Sequence, residues 1–238
     1  MRAARRVEPE WLDELAPADP RAIASRRDLR RVNAVMLQAG IMRRLLHSVC
    51  HDRPPRWILD LGSGDGSFML GAARRLAPVW PGVSLVLLDR QPVVTRSTLD
   101  AFDALGWKAE VIAADVFEFV EAADAPAADV CTANLFLHHF SDAQLGELLA
   151  RAAEVAPRFV ACEPRRAAWA LAASRLLWLV GCNDVTRHDA VASVEAGFRG
   201  TELSALWPSD GDWVLREHLA GPFTHAFVAR RAEAIGPA

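Results

Sequence analysis

Between residues 57 and 163 the chain alternates short, unbroken apolar runs with longer stretches of helical spacing. The runs are "RWILDLG" (56–62), "VSLVLLD" (83–89), "KAEVIAAD" (108–115), "ADVCTAN" (128–134) and "RFVACEP" (158–164). Runs this short, bounded by glycine, proline or charge, read as strands buried on both faces. Between them lie "SFMLGAARRLA", "VVTRSTLDAFDALG", "VFEFVEAA" and "SDAQLGELLARAAEVA". Their apolar residues recur three and four apart, the spacing of a helix with one buried face. Gly106 stops the second and Ser141 is placed to N-cap the last. Regular alternation of strand and helix predicts an α/β fold, a Rossmann-like doubly wound sheet with helices on both faces.

The flanks follow other rules. Pro9, Pro17 and Pro20 frame a short helix around Trp11 to Leu15. No proline falls between Arg21 and His51, where Leu29, Val32, Val35, Met36, Ile41, Leu45, Leu46 and Val49 keep helical spacing. This predicts a helix with a break near Gly40, ended by "HDRPP". After the fifth strand, 165–182 reads as helical, and "DAVASVEAGF" and "TELSALW" as short helices, the first N-capped by Asp189. "WVLREHLAGPFTHAFVARR" reads as two strands joined at Gly221 and Pro222. That hairpin adds an antiparallel edge and brings the sheet to seven strands. The expected organisation is a helical N-terminal segment over 1–52 and an α/β domain over 53–238, with a helical insertion at about 165–212.

Composition narrows the partners. The 238 residues are 52% hydrophobic, enough for one sizeable core. A net charge of −3 gives no reason to expect nucleic acid or an anionic membrane. Eight arginines crowd residues 1–31, but Glu8, Glu10, Asp13, Glu14, Asp19 and Asp28 are interleaved, as on a solvated helical face. Cys50, Cys131, Cys162 and Cys182 each sit in apolar context with no metal or redox spacing. They read as reduced core thiols of a cytoplasmic protein, and no metal is expected. The arginines at the start are not followed by the apolar core of a signal peptide. The most apolar segment, 167–182, is too short to span a bilayer and contains Arg175.

The candidate chemistry starts at "ILDLGSGDGSF" (58–68), where Gly62, Gly64 and Gly66 follow a strand and open a helix. Such a turn places a ligand over the helix N-terminus at the C-terminal edge of the sheet. A phosphate-binding P-loop is excluded, because no lysine followed by Ser or Thr comes after the glycines. A dinucleotide loop, as in an NAD(P)-dependent oxidoreductase, wants G-x-G-x-x-G, and the sixth position from Gly62 is Ser67. Asp89 ends the second strand, where a ribose-binding carboxylate belongs. Glu163 ends the fifth, on the same edge.

"DLGSGDG" resembles the first motif of class I S-adenosylmethionine-dependent methyltransferases, an acid followed by G-x-G-x-G. "VLLDR" is similar to their acidic end of strand two and "AADVFEF" to the acid-containing loop after strand three. "ADVCTANLFLHHFSD" looks like strand four with the L-H-H-F run frequent in small-molecule members. The resemblance covers roughly residues 56–163, in order. It implies that Gly62, Ser63 and Gly64 pack under the methionine part of the cofactor, with Asp60 ordering the loop and favouring the cationic end. It further implies Asp89 on the ribose hydroxyls, Arg90 and Gln91 beside the adenine, and Asp115 on the adenine amino group with Val116 and Phe117 against the ring. Asn134 and Leu135 would lie beside the sulfonium. A carboxylate suits two ribose hydroxyls because it accepts two donors.

The resemblance also frames the reaction. Methyl transfer is an in-line displacement at the sulfonium, and a hydroxyl acceptor gains from a general base. His139 or His138, after strand four, is the first candidate. The cluster Arg187, His188 and Asp189 is the second, with His188 as an oriented base and Arg187 as a binder of an acidic group. Glu163 would position substrate. "NLFL" stands where methyltransferases acting on base nitrogens carry an N-P-P-Y motif, which disfavours nucleic-acid substrates. The resemblance implies that 1–52 and about 165–212 form a lid covering the substrate, and Trp11, Trp169, Trp178 and Trp207 there would either line that apolar lid, with Trp178 toward the substrate, or bury the added helices. "LDELAPADPRAIASRRDLRRVN" and "TRHDAVASVEAGFRGTELSALWP" look similar to bacterial small-molecule methyltransferases acting on phenols and quinones. The leading expectation is O-methylation of an aromatic or lipid-like phenol or hydroxyquinone. The alternatives are the oxidoreductase and a non-catalytic S-adenosylmethionine-binding module. No membrane insertion is expected, and a homodimer is allowed for.

Overall fold

The computed structural model describes residues 4–51, 53–121 and 127–232. The elements in chain order begin with α1 (Trp11–Glu14), α2 (Pro20–Val35) and α3 (Gln38–Val49). The alternating region follows: β1 (Trp57–Leu61), α4 (Ser67–Leu76), β2 (Ser84–Asp89), α5 (Arg96–Asp103), β3 (Lys108–Ala113), α6 (Val116–Glu121), β4 (Val130–Asn134), α7 (Asp142–Val155) and β5 (Arg158–Pro164). The chain then forms α8 (Ala168–Ser174), α9 (Asp184–Ala196), α10 (Glu202–Leu206), β6 (Trp213–Leu219) and β7 (Thr224–Arg231).

All seven strands join one sheet in the order β3-β2-β1-β4-β5-β7-β6. The five strands from β1 to β5 are parallel, and β7 pairs antiparallel with both β5 and β6. This is the doubly wound sheet with a C-terminal hairpin that the alternation predicts. The strand order reverses between β1 and β4, which opens a crevice at their C-terminal ends. Period two sorts the strand side chains into two cores. Ile58, Leu85, Leu87, Val130, Val160 and Val228 face α3, α4 and α5. Leu59, Leu61, Val86, Leu88, Cys131, Phe159 and Phe227 face α6, α7 and α10. All four cysteines are buried, as their apolar context predicts. No helix among the described residues is long and apolar enough to cross a membrane.

Three boundaries differ from the sequence reading. The break in the first long helix falls at Met36 and Leu37, not near Gly40, with Leu37 in the left-handed region at φ 56°. Apolar spacing runs through the break, so periodicity alone misses it. The helical stretch 165–182 is α8 and then a 3-10 turn at Leu177–Val180. The helix expected from Asp189 onward starts five residues earlier, at Asp184, where the Asn183 side chain accepts from the Thr186 N–H at 2.8 Å. "VFEFVEAA" is helical as far as Glu121, and its last two residues lie outside the described ones.

The N-terminal helices are tied to α9 by polar contacts. Asp28, 2% exposed, accepts from the Asn183 N–H at 2.8 Å and pairs with Arg31 at 2.6 Å. Thr186 and Ser25 exchange a hydrogen bond at 2.9 Å. Arg30 reaches from α2 to Asp65 in the glycine loop at 3.0 Å. These contacts hold α2 against the start of α9 and against the glycine loop.

Candidate active site

A cavity of about 770 Å³ occupies the crevice. One wall is the glycine loop and the ends of β1, β2 and β4; the other is Val7–Glu14 except Trp11, plus Arg26, Leu29, Arg30 and Asn33 of α2. In the loop, Gly62, Gly64 and Gly66 all have positive φ. A Cβ at Gly62 would lie 2.1 Å from the Phe136 ring, so any side chain there must displace that ring. The next turn is fixed through Asp89: one carboxylate oxygen accepts from the Gly64 N–H and the other from the Gln91 N–H, both at 2.8 Å. Each oxygen keeps acceptor capacity toward the cavity. Burial raises the Asp89 pKa, the two N–H donors oppose it, and neighbouring Asp13 adds to the rise.

Asp60 is 2% exposed and accepts from Thr132 Oγ1 at 2.7 Å. Burial pushes its pKa up to about 7, against the Thr132 hydrogen bond and with help from Asp89. Asp115 Oδ1 accepts from the Phe117 N–H at 2.9 Å and fixes the start of α6 beside Val116. Leu135 holds φ 51°, a strained value for a leucine, at the point where β4 turns into the site. Ser63 Oγ and Asn134 Oδ1 are buried without a hydrogen-bond partner, and both residues line the cavity. Of the residues expected to touch the cofactor, Asp60, Gly62, Ser63, Gly64, Asp89, Arg90, Gln91, Asp115, Val116, Asn134 and Leu135 line this cavity, and Phe117, which packs edge-on to Phe140, does not.

At the other end, His138 and His139 sit on the 3-10 turn Leu137–His139. The turn is held from below by Glu163, which is fully buried. Its Oε1 accepts from the N–H groups of Phe136 and Leu137, each at 3.0 Å, and its Oε2 from His138 Nδ1 at 2.8 Å. Glu163 is thus spent on backbone and histidine, and it does not line the cavity. Its placement gives no contact to a substrate; its part is to position the turn. His138 Nε2 lies 3.2 Å from Glu10 Oε1, which also accepts from Ser193 Oγ. Burial alone would lower the His138 pKa, but Glu10 and Glu163 outweigh it and raise it to about 9. Burial likewise works against the Glu10 charge, and the two histidines with Ser193 overcome it, bringing its pKa to about 2. His139 is more open, with Nδ1 3.3 Å from Asp13 and Nε2 4.0 Å from Glu10.

The second expected cluster lies elsewhere. His188 stacks on Trp11 with centroids 3.9 Å apart, and its Nδ1 is 2.9 Å from Asp189. Arg187 is exposed, and neither it nor His188 lines the cavity. Asp189 does cap a helix, but a remote one: it accepts from the N–H groups of Trp11 and Leu12 at the start of α1. Trp178 is 56% exposed on its 3-10 turn. None of the four tryptophans expected in the lid lines the cavity, and Trp207 is core, packed on Phe159 and Phe227. The apolar wall is made instead by Leu12, Leu29, Phe136 and Phe140. Sequence reasoning missed Glu10, Asp13, Arg30, Asn33 and Ser193. Their one signal was acid density beside Pro9 and Trp11, which reads equally as a solvated face.

Residues 58–157 match the family model described as a methyltransferase domain. Compared by sequence with curated proteins, the chain matches none. Among solved structures it is similar to an O-methyltransferase family protein from Burkholderia thailandensis, at 19% identity and a TM-score of 0.63. The fold is that of a methyltransferase. The match covers 92% of this chain and 62% of the Burkholderia protein, so this chain spans less than two thirds of that relative. The plantazolicin methyltransferase BpumL, solved in complex with SAH, is 14% identical with a TM-score of 0.61, over 90% of this chain and 92% of that one. Human N-acetylserotonin methyltransferase in complex with SAM is 16% identical with a TM-score of 0.55, over 91% and 56%.

Proposed function

We propose that this protein transfers the methyl group of S-adenosylmethionine to a hydroxyl oxygen of a small aromatic acceptor, a phenol or hydroxyquinone. The observation that carries the reading is Asp89. Its carboxylate locks Gly64 and Gln91 by their N–H groups and still presents acceptor capacity to a cavity with room for a nucleoside. The rest of that end fits the cofactor. Ser63 Oγ and Asn134 Oδ1 are buried polar atoms that lack partners, and Asp60 is a carboxylate whose ionisation a nearby cation would favour. Arg90, Asp115 and Val116 would border the adenine, and Gly62, Ser63 and Gly64 the methionine portion. When bound, the cofactor supplies an electrophilic methyl and a neutral leaving thioether.

The chain's own residues must hold the acceptor in line and exclude water. Phe136, Phe140, Leu12 and Leu29 supply flat apolar contact for an aromatic body. Glu10, His138 and His139 line this end together with Asp13 and Ser193, and the acceptor hydroxyl is assigned to the first three. Isothermal titration with S-adenosylmethionine and, separately, NADH tests the reading. Micromolar binding of the first alone is expected, and no S-adenosylmethionine binding would overturn it.

A further inference from the structure

Both histidines at the acceptor end share one arrangement. His138 turns Nδ1 to Glu163 at 2.8 Å and Nε2 to Glu10 at 3.2 Å. His139 turns Nδ1 to Asp13 at 3.3 Å and Nε2 toward Glu10 at 4.0 Å. A carboxylate only accepts hydrogen bonds, so each outer carboxylate holds a proton on Nδ1 and turns Nε2 toward Glu10. The two imidazoles and the Glu10 carboxylate face one another, each offering one ligand atom, all within 4.8 Å. Three carboxylates, Glu10, Glu163 and Asp13, surround the two imidazoles and draw positive charge to the cluster.

We propose that Glu10, His138 and His139 bind a first-row divalent metal ion of the zinc type, with Glu163 and Asp13 orienting the two histidines. Two imidazoles and one carboxylate are a common donor set for a catalytic zinc site, which keeps one position open. With bonds of roughly 2.0–2.2 Å, tetrahedral ligand atoms stand about 3.3–3.6 Å apart. The 3.2 Å pair is close to this spacing, and the partly exposed His139, at 4.0 Å, must move toward Glu10 to reach it. A histidine whose other ring nitrogen rests on a carboxylate is the usual second shell of a metal site. Here it occurs twice, once from a fully buried glutamate.

The site stands on these ligands alone; its use rests on the methyl-transfer reading. The open position would take the acceptor hydroxyl and lower its pKa, and the proton would leave to bulk water. The resulting oxygen would attack the methyl carbon. The C–O bond forms as the C–S bond breaks, and the electron pair stays on sulfur.

The test uses the full chain, stripped with a chelator. Cobalt(II) is titrated while visible d–d absorption is followed, and zinc(II) is titrated calorimetrically. The expected result is one ion per chain at micromolar or tighter affinity. His139→Ala and Glu10→Gln should each weaken binding at least tenfold, and Glu163→Gln by roughly 10–100-fold. His51→Ala, an exposed histidine elsewhere, should leave it unchanged. Thermal unfolding shows which variants remain folded. The inference is overturned if the wild-type chain takes up no ion at micromolar concentration, or if binding ignores both His139→Ala and Glu10→Gln. Titrating S-adenosylmethionine into the same samples separates the two proposals. Cofactor binding without metal sinks only the metal site, and metal binding without cofactor sinks only the methyl-transfer reading.

Discussion

At the residue scale, two carboxylates 29 positions apart in sequence do different work because their surroundings differ. Asp89 carries two backbone donors and keeps acceptor capacity free, so it suits a partner with paired hydroxyls. Hydrogen bonds to a charged group contribute about 1.5–3 kcal/mol each. Asp89→Asn should therefore weaken S-adenosylmethionine about 10–100-fold by calorimetry, with the fold retained. Asp60 has one donor, Thr132, and almost no water. Its folded pKa of about 7 lies above the unfolded value of about 3.9. The folded state thus holds the Asp60 proton more tightly than the unfolded state does. Its contribution to stability is fully present below about pH 4, falls as pH rises to about 7, and is level beyond. Asp60→Asn should flatten that fall, and urea unfolding at pH 5 and pH 7 measures it. Identical slopes for the two proteins would contradict the assignment.

At the scale of elements, two contacts join pieces that are far apart in the chain. The Phe136 ring, from the turn after β4, fills the space where a side chain at Gly62 would stand. Gly62→Ala must displace that ring and hold a left-handed φ, which together cost about 2–4 kcal/mol. A lowered melting temperature should follow, partly recovered in the double variant with Phe136→Ala; no recovery would show that the two do not couple. Asp189 holds the start of α1 from the middle of α9. Loss of a cap costs about 0.5–2 kcal/mol. In Asp189→Ala that cost should appear as local opening: faster proteolysis near Trp11–Glu14 and a raised KM, with the melting temperature little changed. Equal protease resistance would mean that α1 is held by its other contacts.

At the scale of the whole molecule, what could be read in advance was what local pattern encodes. Strand, helix and cofactor loop in 57–163 follow from apolar spacing and glycine placement, so Asp60, Asp89, Asp115 and Asn134 fell where expected. The acceptor end depends on contacts between Glu10 and His138, and between Asp189 and Trp11, which no periodicity carries. Of the four tryptophans outside the core region, Trp207 is buried in the core and Trp11, Trp169 and Trp178 are exposed outside the cavity, a difference that depends on distant contacts which apolar character alone does not encode. The strand order has a consequence in time. β7 lies between β5 and β6, so the flank of β5 away from β4 has no partner until Thr224–Arg231 has been made. At roughly 5–20 residues per second, a nascent chain spends on the order of several seconds between Pro164 and Thr224. For that interval the row from Phe159 to Cys162, entirely buried later, is an open apolar edge that can pair with another chain. Yield in the cell should therefore depend on how that edge is shielded during synthesis as much as on the stability of the finished fold.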